Sequence, residues 1–219
     1  MNIGVLGTGD VGKTIATRLV ALGHSVRMGS RAKGNEKALA WVEAAGARAS
    51  EGSFADAASF GELVFNCTKG DATLAALEAA GAASLRGKVL VDVSNPLDFS
   101  KGFPPSLTVS NTDSLGEQIQ RAFPDARVVK ALNTMANPIM VDPRRLEGTH
   151  HTFVSGNDAA AKGAVRELLG TFGWRAEEII DLGDITTARG TEAYLLLWTR
   201  LYGATKTAMF NVGLVSAKG

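Results

Sequence analysis

A doubly wound α/β fold with a mostly parallel sheet is predicted by three features of this 219-residue chain. Short β-rich runs alternate with helical patterns four times within the first 95 residues, the order that winds helices onto both faces of a parallel sheet. A glycine-rich loop joins the first strand to the first helix. The composition, 45% hydrophobic and 21% charged, is that of an ordinary globular protein, not of a disordered or fibrous one. At this length the chain folds without a staple, as one or two domains.

Residues 3–6 read as a buried strand, and Val11, Ile15, Leu19 and Leu22 form the apolar face of the following helix, which Gly23 stops. Residues 25–28 make the second strand, 36–45 a helix ended by Gly46, and 47–49 a short edge strand. Two further strands, 63–66 and 89–92, flank the alanine-rich helical stretch 72–83. Residues 98–109, with Pro and Ser, read as loop. Ser114 and Glu117 have capping-box spacing at the start of a helix that puts Leu115, Ile119 and Phe123 on one face. Residues 127–132 extend the sheet. Asn137-Pro138, Asp142-Pro143 and Gly148 then break the chain, dividing it into residues 1–136 and a smaller C-terminal helical region, 137–219. In that region 152–155 and 179–182 read as strands around a helix with Val165, Leu168, Leu169 and Phe172 on one face. The last helix carries Tyr194, Leu197, Trp198, Leu201 and Tyr202 as a stripe that belongs to the core or to a dimer interface.

Charge narrows the partners. Lys and Arg total 23 against 22 Asp and Glu, a net charge of +1, which argues against nucleic acid or an anionic membrane as a partner. The lone Cys67 can form neither an internal disulfide nor a thiolate metal cage. The N-terminus lacks the pattern of a secretory signal, and apolar runs such as 193–198 fall far short of the ~20 residues that span a bilayer. A cytoplasmic protein is expected. His150 and His151, adjacent on an extended segment, point to opposite faces as ordinary surface or strand residues, so no metal site is assigned. His24 follows a helix-ending glycine as a capping residue.

Gly7-Thr8-Gly9-Asp10-Val11-Gly12 lies directly between the first strand and the first helix. This is the dinucleotide fingerprint of a Rossmann fold in its required context: a tight turn, a close approach for pyrophosphate, and a helix N-terminus with free N–H groups. Followed by Lys13-Thr14, the same residues also match the phosphate loop of nucleoside triphosphatases, and Asp92 could hold that loop's magnesium. The second strand favours the first reading. No Asp or Glu occurs between Asp10 and Glu36 to hold an adenosine ribose, and Ser30, Arg31 and Lys33 stand there instead. A hydroxyl, a guanidinium and an ammonium suit the 2′-phosphate of NADP.

The glycine loop, Gly29-Ser30-Arg31, and Val89-Leu90-Val91-Asp92 with Ser94-Asn95-Pro96 together resemble the deazaflavin-dependent NADP oxidoreductase family. Val129-Lys130-Ala131-Leu132-Asn133-Thr134, Phe172-Gly173-Trp174 and Asp181-Leu182-Gly183-Asp184 are similar to it as well, so the resemblance runs over essentially the whole chain. It implies an NADP-binding Rossmann domain over 1–136, a C-terminal region over 137–219 that closes the cleft and supports dimerisation, and hydride exchange between NADPH and a flavin-like ring. It also implies Thr8, Ser30 and Arg31 as 2′-phosphate contacts, with Lys33 or Lys37 as a further cation. One departure concerns the acceptor: Thr68-Lys69-Gly70 stands where members that use the deazaflavin coenzyme F420 have an apolar residue, Pro and an aromatic.

Ligands of open α/β sheets bind outside the carboxyl ends of the strands. That rule nominates 67–69, 94–97 and 133–136 as cleft lining, and Thr68, Lys69, Asn95 and Ala136 as cofactor-binding residues beside Gly7, Thr8, Gly9, Asp10, Val11, Gly12, Ser30, Arg31 and Lys33. Hydride transfer between two stacked rings requires no acid–base side chain, so no catalytic residue is nominated. Cys67 reads as a small core residue. The expected protein is an NADP(H)-dependent oxidoreductase, dimeric, that passes hydride to coenzyme F420 or a flavin. The alternatives are a flavin or ferric reductase, a small phosphate-loop kinase or ATPase, and an NADP-binding sensor without turnover.

Overall fold

The computed structural model describes residues 1–217. Among these residues the chain runs β1 (Asn2–Leu6), α1 (Asp10–Ala21), β2 (Ser25–Ser30), α2 (Glu36–Ala45), β3 (Ala49–Ser53), α3 (Phe54–Phe60), β4 (Leu63–Asn66), α4 (Thr73–Ala80), α5 (Ala82–Leu85) and β5 (Val89–Asp92). It continues through β6 (Leu97–Asp98), β7 (Ser106–Leu107), α6 (Leu115–Ala122), β8 (Arg127–Ala131), α7 (Asn137–Val141), β9 (Thr152–Ser155), α8 (Ala159–Phe172), β10 (Ile179–Gly183), α9 (Ala188–Ala193) and α10 (Leu195–Thr205). Strands β6 and β7 pair with each other, and the others form an eight-stranded sheet in the order β10-β9-β8-β5-β4-β1-β2-β3. Neighbours in that sheet are parallel except β8 and β9. One apolar cluster holds Ile3, Val5, Met28, Phe65 and Val91, and a second holds Leu6, Val64, Leu90 and Val128. Alternate residues of single strands feed both clusters, as helices packed on both faces of a sheet require.

The pattern of residues 50–62 predicts no helix, yet α3 forms there. The Ser53 hydroxyl accepts from the Asp56 amide at 3.1 Å, and the Asp56 carboxylate accepts from the Ser53 amide at 2.9 Å, closing a capping box. The helix lies so close to the sheet that a Cβ on Gly4 would stand 2.3 Å from the Ala57 carbonyl oxygen, and one on Gly29 2.8 Å from the Ala57 Cβ. Two strand glycines admit it.

Other elements shift for local reasons. The edge strand β3 starts at Ala49, where the expected strand ends. Gly81, at φ +86°, divides the expected 72–83 helix into α4 and α5. The expected loop 98–109 carries part of the β6–β7 pair. At the expected break, α7 begins with Pro138 in its first turn, and the Asn137 amide donates to Thr14 Oγ1 at 2.7 Å, fastening α7 to α1. Strands β9 and β10 then enlarge the same sheet, so residues 1–136 and 137–217 share it.

The α10 stripe is not core in a single copy: Leu197, Leu201 and Tyr202 are 54%, 37% and 40% exposed. His150 and His151, by contrast, are buried and not at the surface. The segment around Asn211–Leu214 lies against them. His150 Nε2 donates to the Pro143 carbonyl at 2.9 Å, its Nδ1 accepts from the Asn211 amide at 2.9 Å, and His151 Nδ1 accepts from the Leu214 amide at 3.2 Å. Beyond Gly23, the His24 amide donates to the Leu19 carbonyl at 3.1 Å and closes the end of α1. Among the described residues no three His, Cys, Asp or Glu side chains gather as a metal site, and no helix is long and apolar enough to cross a membrane.

Candidate active site

The glycine loop is shaped by what its side chains would strike. Gly7 sits at φ +115°, and a Cβ there would stand 2.7 Å from the Cys67 carbonyl oxygen. A Cβ on Gly12 would stand 2.2 Å from the Gly7 carbonyl oxygen, so only glycine lets α1 pack this close. Around Gly9 nothing lies within 4 Å of an added Cβ. Gly9 is also the N-cap of α1, and no side chain bonds there. The first turn of this twelve-residue helix thus has no side-chain cap, and the space beside Gly9 is open, an arrangement that fits a pyrophosphate.

The phosphate-loop alternative fails on the same geometry. Helix α1 begins at Asp10, which puts Gly12 and Lys13 inside its first turn, and the Lys13 amide already donates to the Gly9 carbonyl at 2.9 Å. No wide loop of amides remains to wrap a triphosphate. Asp92, its would-be magnesium ligand, is fully buried against Lys130.

Gly7 donates its amide to the Gly29 carbonyl at 2.9 Å, so the glycine loop and the end of β2 lie side by side. There Arg31 and Lys33 are exposed and form no ion pair among the described residues. Ser30 is buried, and its hydroxyl donates to the Ala32 carbonyl at 2.6 Å, tightening the turn that presents the two cations. Lys37 is exposed in the first turn of α2, and the Gly34 amide donates to Glu51 at 3.0 Å, pinning the loop between them.

On the other side of β1, where the order of strands reverses, a cleft of about 600 Å³ opens beyond the ends of β4 and β5. Val11, Cys67, Thr68, Lys69, Ser94 and Asn95 line it, and the exposed ring of Phe99 stands at its edge. The structure thus brings Val11 of the glycine loop, Thr68, Lys69 and Asn95 to one cavity. Ala136 is the N-cap of α7, which Asn137 links to the Asp10 carbonyl at 3.2 Å. Asn95 is committed elsewhere: its amide donates to the Asn133 carbonyl at 2.8 Å, and its oxygen accepts from the Asn133 amide at 2.9 Å. Cys67 is half-buried in the cleft wall; burial, and secondarily Asp92, push its thiol pKa up, which leaves it a poor nucleophile.

Sequence reasoning missed the charges behind this wall. Asp92, Lys130 and Glu192 are all at most 2% exposed. Lys130 Nζ donates to Asp92 at 2.6 Å, to the Ser94 carbonyl at 2.7 Å and to Glu192 at 2.7 Å, so each of its three protons has an acceptor. Glu192 also accepts the Leu115 and Gly116 amides at the start of α6, at 2.8 and 3.0 Å. Burial alone would push the Lys130 pKa down, but the two carboxylates outweigh it and hold it above the ordinary lysine value. The one available signal was a lysine within the apolar strand 127–132.

Comparison with known proteins meets this geometry. A candidate F420-dependent NADP-reductase from Arthrobacter sp. FB24 is 53% identical, with a TM-score of 0.94, over 99% of this chain and 100% of that one. Residues 2–96 match the family described as NADP oxidoreductase, coenzyme F420-dependent. The chain belongs to the F420-dependent NADP oxidoreductase family. The chain is also 32% identical over 194 residues to Metalloreductase STEAP3 of Rattus norvegicus, which covers 87% of this chain and 36% of that protein. It spans about a third of the length of the curated relatives it matches. A reductive aminase from Aspergillus terreus, solved with NADPH, shares the fold at a TM-score of 0.66 and 20% identity, over 94% of this chain and 62% of that one.

Proposed function

We propose that this family member transfers a hydride between NADPH and a flavin-like acceptor such as coenzyme F420, acting in the cytoplasm as a homodimer. The carrying observation is one continuous edge of the sheet: a helix N-terminus at Gly9 with no side-chain cap, two cations at Arg31 and Lys33 without an ion pair among the described residues, and a cleft at the ends of β4 and β5. When bound, NADPH supplies the hydride from its nicotinamide ring. The first-turn amides of α1 receive the pyrophosphate, and Arg31 with Lys33 receive the 2′-phosphate. Thr68 and Ser94 form the polar wall that orients the ring, with Phe99 at the mouth beside an acceptor. No side chain of this cleft has to carry a proton for the transfer. Stopped-flow mixing of NADPH-loaded protein with coenzyme F420, FMN, FAD and ferric complexes tests the reading; fast reduction of F420 supports it.

Reduction of FMN or a ferric complex alone would favour the second reading, a flavin or ferric reductase. Two observations speak for it: the likeness to a metalloreductase and Thr68-Lys69-Gly70 at the cleft. Homodimer formation would cover Leu197, Leu201 and Tyr202 on α10. Light scattering on the wild type and on Leu197→Glu tests that, with a dimer expected for the first and a monomer for the second.

A further inference from the structure

We propose that Thr68 and Ser94 are fixed as hydrogen-bond acceptors toward the cleft, and that they select a nicotinamide ring whose carboxamide presents N–H donors. The inference rests on the NADP(H) reading above and deepens it. It follows from proton accounting that starts at Asp92. This carboxylate receives the Lys130 ammonium on Oδ2 at 2.6 Å and is the acceptor in each of its contacts. Its Oδ1 receives the Ser94 hydroxyl at 2.6 Å, the Ser94 amide at 3.1 Å and the Asn66 side-chain amide at 2.8 Å. The Ser94 proton therefore points away from the cleft.

Asn66 must turn its NH₂ group to Asp92, which leaves its oxygen facing Thr68. The two oxygens lie 2.6 Å apart, and since an amide oxygen only accepts, Thr68 is the donor. Thr73 Oγ1, 3.0 Å from Thr68 Oγ1, does not alter this, because its own proton serves either that contact or the Lys69 carbonyl at 3.0 Å. Both hydroxyls on the wall have thus spent their protons inward. What they show a ligand is lone pairs. A carboxamide NH₂ matches such a wall, an acetyl group offers it no donor, and a carboxylate would set its charge against it.

The chain from Lys130 through Asp92 and Asn66 is therefore a positioning device, and its readout is discrimination between rings. Calorimetric titration of the wild type with NADP⁺, its 3-acetylpyridine analogue and its nicotinic acid analogue tests this without turnover. NADP⁺ should bind about tenfold or more tightly than either analogue, the effect of one to two net hydrogen bonds. Thr68→Val, which keeps shape and removes the acceptor, should narrow that ratio at least about threefold, whereas Thr68→Ser should preserve it. Equal binding of NADP⁺ and the acetylpyridine analogue to the wild type, or an unchanged ratio in Thr68→Val, would overturn the inference while leaving the NADP reading intact. Absence of any NADP⁺ binding would overturn both.

Discussion

The two ends of the cleft are built on opposite plans. At the end of β2, Arg31 and Lys33 stand exposed, without an ion pair among the described residues, on a turn held by the Ser30 hydroxyl. At the ends of β4 and β5 the polar groups are bonded to one another, from the half-buried Thr68 to the buried Asn66, Asp92, Lys130 and Glu192. The first plan leaves charge for a ligand to satisfy, and the gain appears as affinity and salt dependence. The second settles its charges before any ligand arrives, and the gain appears as orientation. Substitutions of the buried charges should therefore cost stability, and substitutions of the exposed cations should cost affinity for the 2′-phosphate.

The largest effect belongs to the buried end. Lys130→Met would leave Asp92 and Glu192 without their counter-ion, and breaking a buried pair costs about 3–5 kcal/mol. Urea unfolding should show a loss of that size, while Arg31→Ala should stay within about 0.5 kcal/mol of the wild type. A raised lysine pKa stabilises the fold below its unfolded value and loses that contribution as pH rises through the folded value. The Lys130 contribution should therefore persist across neutral pH and fade only in strongly alkaline solution. Equal unfolding midpoints for Lys130→Met and Arg31→Ala would erase the contrast.

At the exposed end the same comparison is read in ligands. NADPH should bind roughly 100-fold more tightly than NADH, because each charge-assisted bond to the 2′-phosphate adds to the preference and salt trims it. Arg31→Ala should remove most of that preference and leave NADH affinity nearly unchanged. Titration of both proteins with both nucleotides decides it, and equal wild-type affinities would mean that Arg31 only faces solvent.

Between the two ends, the glycines divide along the same line. Gly12→Ala drives a Cβ to within 2.2 Å of the Gly7 carbonyl oxygen and should cost about 1–3 kcal/mol of stability through forced backbone movement. Gly9→Ala meets nothing within 4 Å and should stay within about 1 kcal/mol. Its methyl group would instead occupy space reserved for pyrophosphate, so NADPH affinity should fall by about tenfold or more. Thermal melts paired with NADPH titration would separate the two roles.

The end that waits for a ligand was the legible one. A tight turn at Gly7 and cations replacing a carboxylate near Arg31 are encoded within a few residues, and the alternation of apolar strands and helices fixes the sheet around them. The buried end was not legible, because Asp92, Lys130 and Glu192 come from three separated elements and meet only when β5, β8 and α9 pack. Helix α3 was missed for a related reason. Its seven residues are too few for a helical period, and its signals were the Ser53–Asp56 box and the glycines at Gly4 and Gly29 on two other strands. The α10 stripe shows the converse: periodicity revealed an apolar face at Leu197 and Leu201 but not which surface covers it.

The smallest expected effect tests where the exposed end stops. Lys13 carries the motif resemblance to a phosphate loop, yet it lies inside the first turn of α1 with its amide bonded to Gly9. Its side chain borders a groove between α1 and α7, beside Thr14, Thr17 and Arg18, and not the cleft at β4 and β5. A half-exposed ammonium there would act on the pyrophosphate only at a distance and through solvent, where such interactions amount to about 1 kcal/mol or less. Lys13→Ala should therefore weaken NADPH binding by no more than about fivefold. The measurement is a fluorescence titration at two salt concentrations, with the difference from wild type shrinking at the higher one. A loss approaching that of Arg31→Ala would extend the ligand-facing charge along α1 and shift the boundary between the two ends.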